Sequence, residues 1–299
     1  MKTLFVCGYS RSGTTLLTAM LESNSETIFG FEIIPLVEKL DSGYLRKVIN
    51  SIINECKKTG VTTDLYANEN DSKFLMRLLI KELGNEYAAW VRRLKRSGTS
   101  CEQILEILSH FDDVLTPQTF FDHWCSWKKL SSNKQNVVLR GCKLFQSQLN
   151  LVASEDVVLV PYRNPLDVFG SLKRLNFPEA KSQVFINKWN EFYSKVLSNF
   201  NKSQLILISY EDLVKEPDVL NKLVQSMGGK PFEVNKYFEN SCTKGVFGVN
   251  TTKDDLWRSP ILTKKIGSYK NLLNKAEILE IINGTESLKK ILDSKRFSV

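Results

Sequence analysis

The chain has 299 residues, 42% hydrophobic and 25% charged, which suits one large domain, or a domain with a big insertion, built on a sizeable core. No apolar stretch is long enough to cross a bilayer, and Met1–Cys7 is too short an apolar run for a secretory signal, so a cytoplasmic location is expected. The net charge of +8 comes from scattered lysines without an Arg-rich arm or RNP-type pattern, and the cysteines and two histidines show no metal-ligand spacing, so neither nucleic acid nor metal is expected.

In chain order, Thr3–Cys7 is a short apolar run that ends in a glycine loop. Leu16–Ser23 follows, with Leu16, Leu17, Met20 and Leu21 at helical spacing. Thr27–Phe29 is a second apolar run, and strand, glycine loop, helix and strand in this order open an α/β unit. From Pro35 to about Lys129 the patterns are helical, over Tyr44–Cys56, Lys73–Leu83 and Cys101–Phe111, with a polar stretch at Asp64–Asp71 and no strong strand signal. Strands return at Asn136–Leu139, at Asp156–Val160, which stops at Pro161, and at Gln204–Ser209. The tail resumes helix at Glu216–Met227 and Lys275–Ile282. These runs predict an α/β fold, a parallel sheet flanked by helices, in a single domain over 1–299 with a mostly helical insertion at about 35–130. The aromatic residues of that insertion (Tyr66, Trp90, Phe120, Phe121, Trp124 and Trp127) fit either an acceptor pocket or a core.

The loop Gly8-Tyr9-Ser10-Arg11-Ser12-Gly13-Thr14-Thr15 stands between strand and helix. Its glycines let successive N–H groups turn inward, and the helix N-terminus adds partial positive charge, so the segment forms a phosphate cradle. The spacing copies GxxxxGK[ST], except that Thr14 stands where the lysine belongs. Arg11, inside the loop, supplies a guanidinium fork instead. The run Tyr9–Leu17 resembles the 5′-phosphosulfate loop of the sulfotransferases that use 3′-phosphoadenosine 5′-phosphosulfate (PAPS), a family with a P-loop NTPase-like fold. The resemblance implies that Arg11, Ser12, Gly13, Thr14 and Thr15 hold the 5′-phosphosulfate, and that 3′-phosphoadenosine 5′-phosphate (PAP) is the product.

A second motif follows the strand at Val157–Val160. Arg163-Asn164-Pro165 opens a helix that carries Ser171, and an Arg at a strand end can converge with such a Ser on one anion. The run is similar to the family's 3′-phosphate motif, which implies that role for Arg163 and Ser171; Arg174 fits the same site or a solvated helix face. Ser209-Tyr210-Glu211-Asp212-Leu213 resembles another family segment and implies that Tyr210 contacts the nucleotide, against the alternative of a core tyrosine. Ser259–Lys270 resembles the segment that closes over the nucleotide, and implies a phosphate contact by Lys265, with Lys264 and Ser259 behind it. In motif layout the chain is most similar to protein-tyrosine and bacterial carbohydrate or small-molecule sulfotransferases.

Sulfuryl transfer needs a base for the acceptor proton and a charge that steadies the leaving phosphate oxygen. Glu32, between Phe31 and Ile33, is the candidate base, because apolar neighbours desolvate a carboxylate and suit it to that chemistry. The resemblance implies the same role, since related enzymes place a Glu there. A structural Glu paired with a nearby cation is the other possibility. Lys143, after the strand at Asn136–Leu139, is the candidate charge stabiliser, although Lys143-Leu144-Phe145 departs from the family's usual sequence. His110 and His123, in the insertion, are reserve bases. The expected function is transfer of a sulfuryl group from PAPS to a hydroxyl or amine acceptor, whether carbohydrate, lipid, phenol or peptide. The competing functions are a P-loop nucleotide kinase, which the missing lysine opposes, and a non-catalytic nucleotide-binding protein.

Overall fold

A computed structural model describes residues 1–36, 39–63, 69–111, 114–134, 136–199, 205–236 and 266–297. They fold into two compact units. One comprises Lys2–Leu17, Phe145–Asn235 and the described part of Pro260–Val299; the other is built on Thr18–Leu144.

In the first unit, strands β1 (Lys2–Val6), β6 (Val157–Tyr162) and β7 (Leu205–Ser209) pair in parallel, with Leu4 opposite Val157 and Leu159 opposite Ile206. Their side chains are nearly all buried, as expected where helices cover both faces of parallel strands. Helices α6 (Pro165–Arg174), α7 (Ser182–Asn199) and α10 (Lys275–Lys295) pack on one another, and short helices α8 (Tyr210–Lys215) and α9 (Asp218–Ser226) follow β7.

Three boundaries here differ from the sequence expectation. Strand β6 does not stop at Pro161 but carries it opposite Ile208 and ends at Tyr162. A proline near a strand end gives up only one donor, and the Pro161 carbonyl is used, accepting from the Tyr193 hydroxyl at 3.2 Å. Helix α10 does not end at Ile282 but runs on through Asn283 and Gly284 to Lys295. Gly284 serves close approach rather than termination: a Cβ there would stand 2.7 Å from the Ile186 side chain, and its carbonyl accepts from Asn190 at 2.7 Å. The helix expected at Glu216–Met227 begins at Asp218, after the separate α8.

In the second unit, β2 (Thr27–Gly30) and β5 (Leu139–Lys143) pair in parallel, Thr27 opposite Leu139 and Gly30 opposite Cys142. Strand β5 therefore starts where the expected strand ended, and Lys143 is its last residue rather than a residue beyond it. Helix α1 (Thr14–Ser23), which starts within the first unit, leads into β2. The insertion is helical as expected: α2 (Ser42–Thr59), α3 (Glu69–Arg96), α4 (Cys101–Ser109) and α5 (Pro117–Ser131). Two short strands that sequence did not signal, β3 (Leu40–Asp41) and β4 (Val114–Leu115), pair antiparallel within it. Gly84 interrupts α3 with φ 75° and ψ 171°, a backbone open to glycine, so the chain turns there before Asn85–Arg96 resumes helix.

The helix starts are capped by side chains: Asp41 accepts from Tyr44 N at 2.8 Å, Ser100 and Gln103 form a capping box, and Thr116 precedes Pro117. Trp90, Phe120, Phe121 and Trp124 are core, each at most 1% exposed, with Trp90 and Phe120 edge to face at 4.9 Å. Burying each such ring stabilises the unit by roughly 2–3 kcal/mol. Trp127 instead donates to Glu106 near the surface, and Tyr66 lies outside the described residues. Among the described residues no helix is long and apolar enough to cross a membrane.

Candidate functional site

In the first unit the segment between β1 and α1 turns back on itself, with Ser12 N donating to Tyr9 O at 3.1 Å. Arg11 takes a left-handed backbone, φ 68°, and Gly13 follows at φ 102°. A side-chain-bearing residue other than Asn or Asp rarely adopts that conformation, and holding it costs on the order of 1–2 kcal/mol. At Gly13 a Cβ would stand 2.5 Å from Tyr210 Cδ2, so the Tyr210 ring closes directly on the loop backbone. Thr14 and Thr15 form the first turn of α1, with Thr14 buried and Thr15 half-buried. Ser12 is fully buried beside Tyr193, inside the turn.

The loop meets the second motif. Arg11 Nε donates to Ser171 Oγ at 3.0 Å, across a separation of 160 residues. Ser171 is on α6, whose start is fixed by Pro165 and by Asn164 Oδ1 accepting from Leu166 N at 2.9 Å. Arg163, on the residue after β6, holds its guanidinium carbon 4.3 Å from the centre of the Tyr210 ring. Tyr210 is the first residue of α8, after β7, and Glu211 beside it accepts from Asn164 N at 3.0 Å. The strand ends of β1, β6 and β7 thus deliver Arg11, Arg163 and Tyr210 to one place, and α6 brings Ser171.

Positive charge gathers around Arg11. Burial pushes the Arg11 pKa down, and the charges of Arg174 and then Arg163 push it further. Three guanidinium groups near one another repel, and an anion among them removes that repulsion. Burial likewise raises the Tyr210 hydroxyl, keeping it a neutral donor. Guanidinium forks, hydroxyls, a backbone turn and a helix start match the oxygens of phosphate and sulfate esters.

The C-terminal part of this unit is tied to α6. Asp167, 1% exposed, accepts from Gly267 N at 2.8 Å, Ser268 Oγ at 3.3 Å and Tyr269 N at 3.1 Å. Sequence reasoning passed over Asp167, although an acid in the first turn of a helix beginning Asn-Pro was a signal for an N-terminal acceptor. Lys265, Lys264 and Ser259 lie outside the described residues.

In the second unit the two catalytic candidates meet each other. Lys143 Nζ lies 2.6 Å from Glu32 Oε1, with side chains 17% and 10% exposed. The ammonium also sits 4.5 Å from the centre of the Phe31 ring. Glu32 has a left-handed backbone, φ 54°, in the turn after β2. The insertion pins that turn: Phe31 N donates to Ser97 Oγ at 2.8 Å, and Trp90 Nε1 donates to Ile33 O at 2.8 Å. Sequence reasoning did not identify Trp90 and Ser97 as supports of the Glu32 turn, since nothing local to either shows a partner some sixty residues away. His110 and His123 are both exposed on the insertion, His123 against Phe111 with ring centroids 4.3 Å apart. Among the described residues no group of three His, Cys, Asp or Glu side chains could hold a metal ion.

Against known proteins, the model of a family described as Sulfotransferase domain matches residues 1–255. None of the curated protein sequences matches the chain. Among solved structures, the sulfotransferase domain from the Synechococcus PCC 7002 olefin synthase is similar over 97% of this chain and 94% of its own, at 14% identity and a TM-score of 0.56. The sulfotransferase domain from the curacin biosynthetic pathway is similar over 95% of this chain and 97% of its own, at 18% identity and a TM-score of 0.55. Both share its fold.

Proposed function

The chain belongs to the sulfotransferase domain family and is a transferase enzyme with the P-loop-like fold of that family, and on that premise we propose that its sulfuryl donor is PAPS and that its acceptor is a hydroxyl or amine. One observation carries the donor assignment: the Arg11–Ser171 hydrogen bond joins two anion-binding motifs that lie far apart in sequence. A nucleotide with phosphate esters at both its 3′ and 5′ positions needs two such sets of groups close together.

In this reading the whole chain acts as one catalytic domain. Arg11, Ser12, Gly13, Thr14 and Thr15 hold the 5′-phosphosulfate. Arg163 and Ser171 hold the 3′-phosphate, and Tyr210 contacts the nucleotide from the Gly13 side. Lys265 is assigned a further phosphate contact. PAPS supplies the sulfuryl group and leaves as PAP. Glu32 takes the acceptor proton; its pair with Lys143 engages Oε1, and Oε2 is the oxygen assigned to the proton. Lys143 steadies the negative charge that develops on the leaving group. The left-handed backbone at Glu32, maintained by Ser97 and Trp90, supports a working role, since strain of this kind gathers at functional positions. A cytoplasmic location is proposed as well, supported by the five cysteines among the described residues, which are buried free thiols.

Calorimetry with PAP and with ATP tests the donor. PAP is expected to bind more tightly, through its 3′-phosphate. Tighter binding of ATP, or equal binding of adenosine 5′-phosphate and PAP, would overturn the assignment.

A further inference from the structure

We propose that the groove beside Gly8–Ser10 is the acceptor subsite and that it takes a polyhydroxylated compound about the size of one sugar ring. The inference rests on the sulfotransferase function above and names the acceptor class for it.

The groove has a volume of about 340 Å³. That is near the small end of ligand sites, roughly 300–1,000 Å³. Gly8, Tyr9 and Ser10 form one wall. The next residue, Arg11, makes the contact to Ser171. A compound in the groove therefore lies along the same loop that is assigned the phosphosulfate. Helix α7 contributes Lys188, Glu191 and Phe192, whose spacing puts them on one helix face.

The lining is mixed in sign, and that decides the class. Lys188 Nζ lies 3.0 Å from Glu179 Oε1, and its hydrogen bond is the main cause holding the Glu179 carboxyl below the usual range. Glu191 and Gln146 add an acceptor and an amide that both gives and takes hydrogen bonds. A purely cationic ligand would leave Lys188 opposed, and a purely anionic one would face two carboxylates. A flat apolar phenol or sterol would cover these groups without replacing their water and leave each polar group unpaired. A polyol returns a hydroxyl to each, as donor to the carboxylates and acceptor from the ammonium. Tyr9 and Phe192, with ring centres 5.9 Å apart and edge to face, are buried behind this polar lining and fix it in place. In the transfer, one acceptor oxygen forms a bond to the sulfuryl sulfur, and the bond from sulfur to the 5′-phosphate oxygen breaks with its electron pair staying on that oxygen. The acceptor proton leaves to the base.

The test uses the full chain loaded with PAP. Saturation-transfer NMR with methyl glucoside, myo-inositol and 4-nitrophenol reads binding, and transfer of labelled sulfate from PAPS reads turnover. The polyols are expected to bind and accept, and 4-nitrophenol to do neither. Glu191→Gln and Lys188→Met, both at exposed positions of α7, should each raise the acceptor KM roughly tenfold and leave PAP affinity unchanged. Preference for 4-nitrophenol, or no binding of either polyol, would overturn the proposal. So would variants that weaken PAP and spare the acceptor KM, since the groove would then serve the nucleotide. Failure of PAP to bind the unaltered chain is a separate result, which removes the donor assignment itself.

Discussion

Lys143 and Glu32 answer each other's charge in a buried pair 2.6 Å apart, at the end of β5 and just past the end of the neighbouring β2. Removing one member of such a pair leaves an uncompensated charge and costs about 3–5 kcal/mol, whereas removing both costs much less. Lys143→Met is therefore expected to lower the unfolding free energy by about 3 kcal/mol, and the double variant with Glu32→Gln to recover most of it. Urea unfolding measures both. Losses that simply add would show that the two side chains are not coupled.

Glu32→Gln keeps the shape of the side chain and removes its basicity. Turnover should fall by about a hundredfold or more, with PAP affinity in calorimetry unchanged. Parallel loss of turnover and PAP binding would take Glu32 out of the base role.

Arg11 combines a guanidinium assigned to the donor with a left-handed backbone, and two substitutions separate these. Arg11→Ala and Arg11→Gly should weaken PAP equally, by roughly tenfold to a hundredfold for the lost charged contact. They should differ in stability, with the glycine variant about 1 kcal/mol the more stable because glycine adopts a positive φ without a Cβ clash. Equal stability of the two would mean that the loop relaxes around alanine.

Asp167 holds two backbone N–H groups and one hydroxyl of Gly267–Tyr269. Asp167→Ala should cost about 2 kcal/mol and speed amide exchange at Gly267 and Tyr269. Unchanged exchange at those amides would show that the segment is held by other contacts.

Lys173 Nζ donates to Glu277 Oε1 at 2.6 Å and to Oε2 at 2.9 Å, and this hydrogen bond is the main cause of a Glu277 pKa below the usual carboxylate value. The folded pKa lies under the unfolded one, so the pair's stabilisation is present above the unfolded value, about 4.3, and is lost as pH falls through the folded value. The gap in unfolding free energy between the unaltered chain and Glu277→Gln should be full at pH 7 and close in acid. Partial exposure of both side chains keeps the gap modest. A gap that does not vary with pH would remove the assignment.

Much of the fold was legible because the local signals agreed. The apolar run, the glycine loop and the first helix follow one another as strand, turn and helix chemistry require, and the insertion's helices carry both their spacing and their caps. Boundaries were misread where tertiary contacts decided them. Val137 and Val138 suggested a strand ending at Leu139, but pairing with β2 begins there and carries the strand on to Lys143. The helix expected to end at Ile282 runs on through Gly284, where the Ile186 side chain leaves no room for a Cβ. At the candidate site, residue types were readable one by one, because each motif names its own chemistry. The pairings were not: that Lys143 partners Glu32, that Arg11 reaches Ser171 and that Asp167 ties down Gly267 are long-range facts that no local pattern contains.

Arg174 and Arg163 both push the Arg11 pKa down, so on the proposed donor assignment an anionic nucleotide stabilises the fold as well as supplying the reactant. A ligand that binds only the folded chain adds to its stability by mass action, about 2.7 kcal/mol at a hundredfold excess over Kd. On the proposed donor assignment, PAP should therefore protect the chain from proteolysis in step with its occupancy.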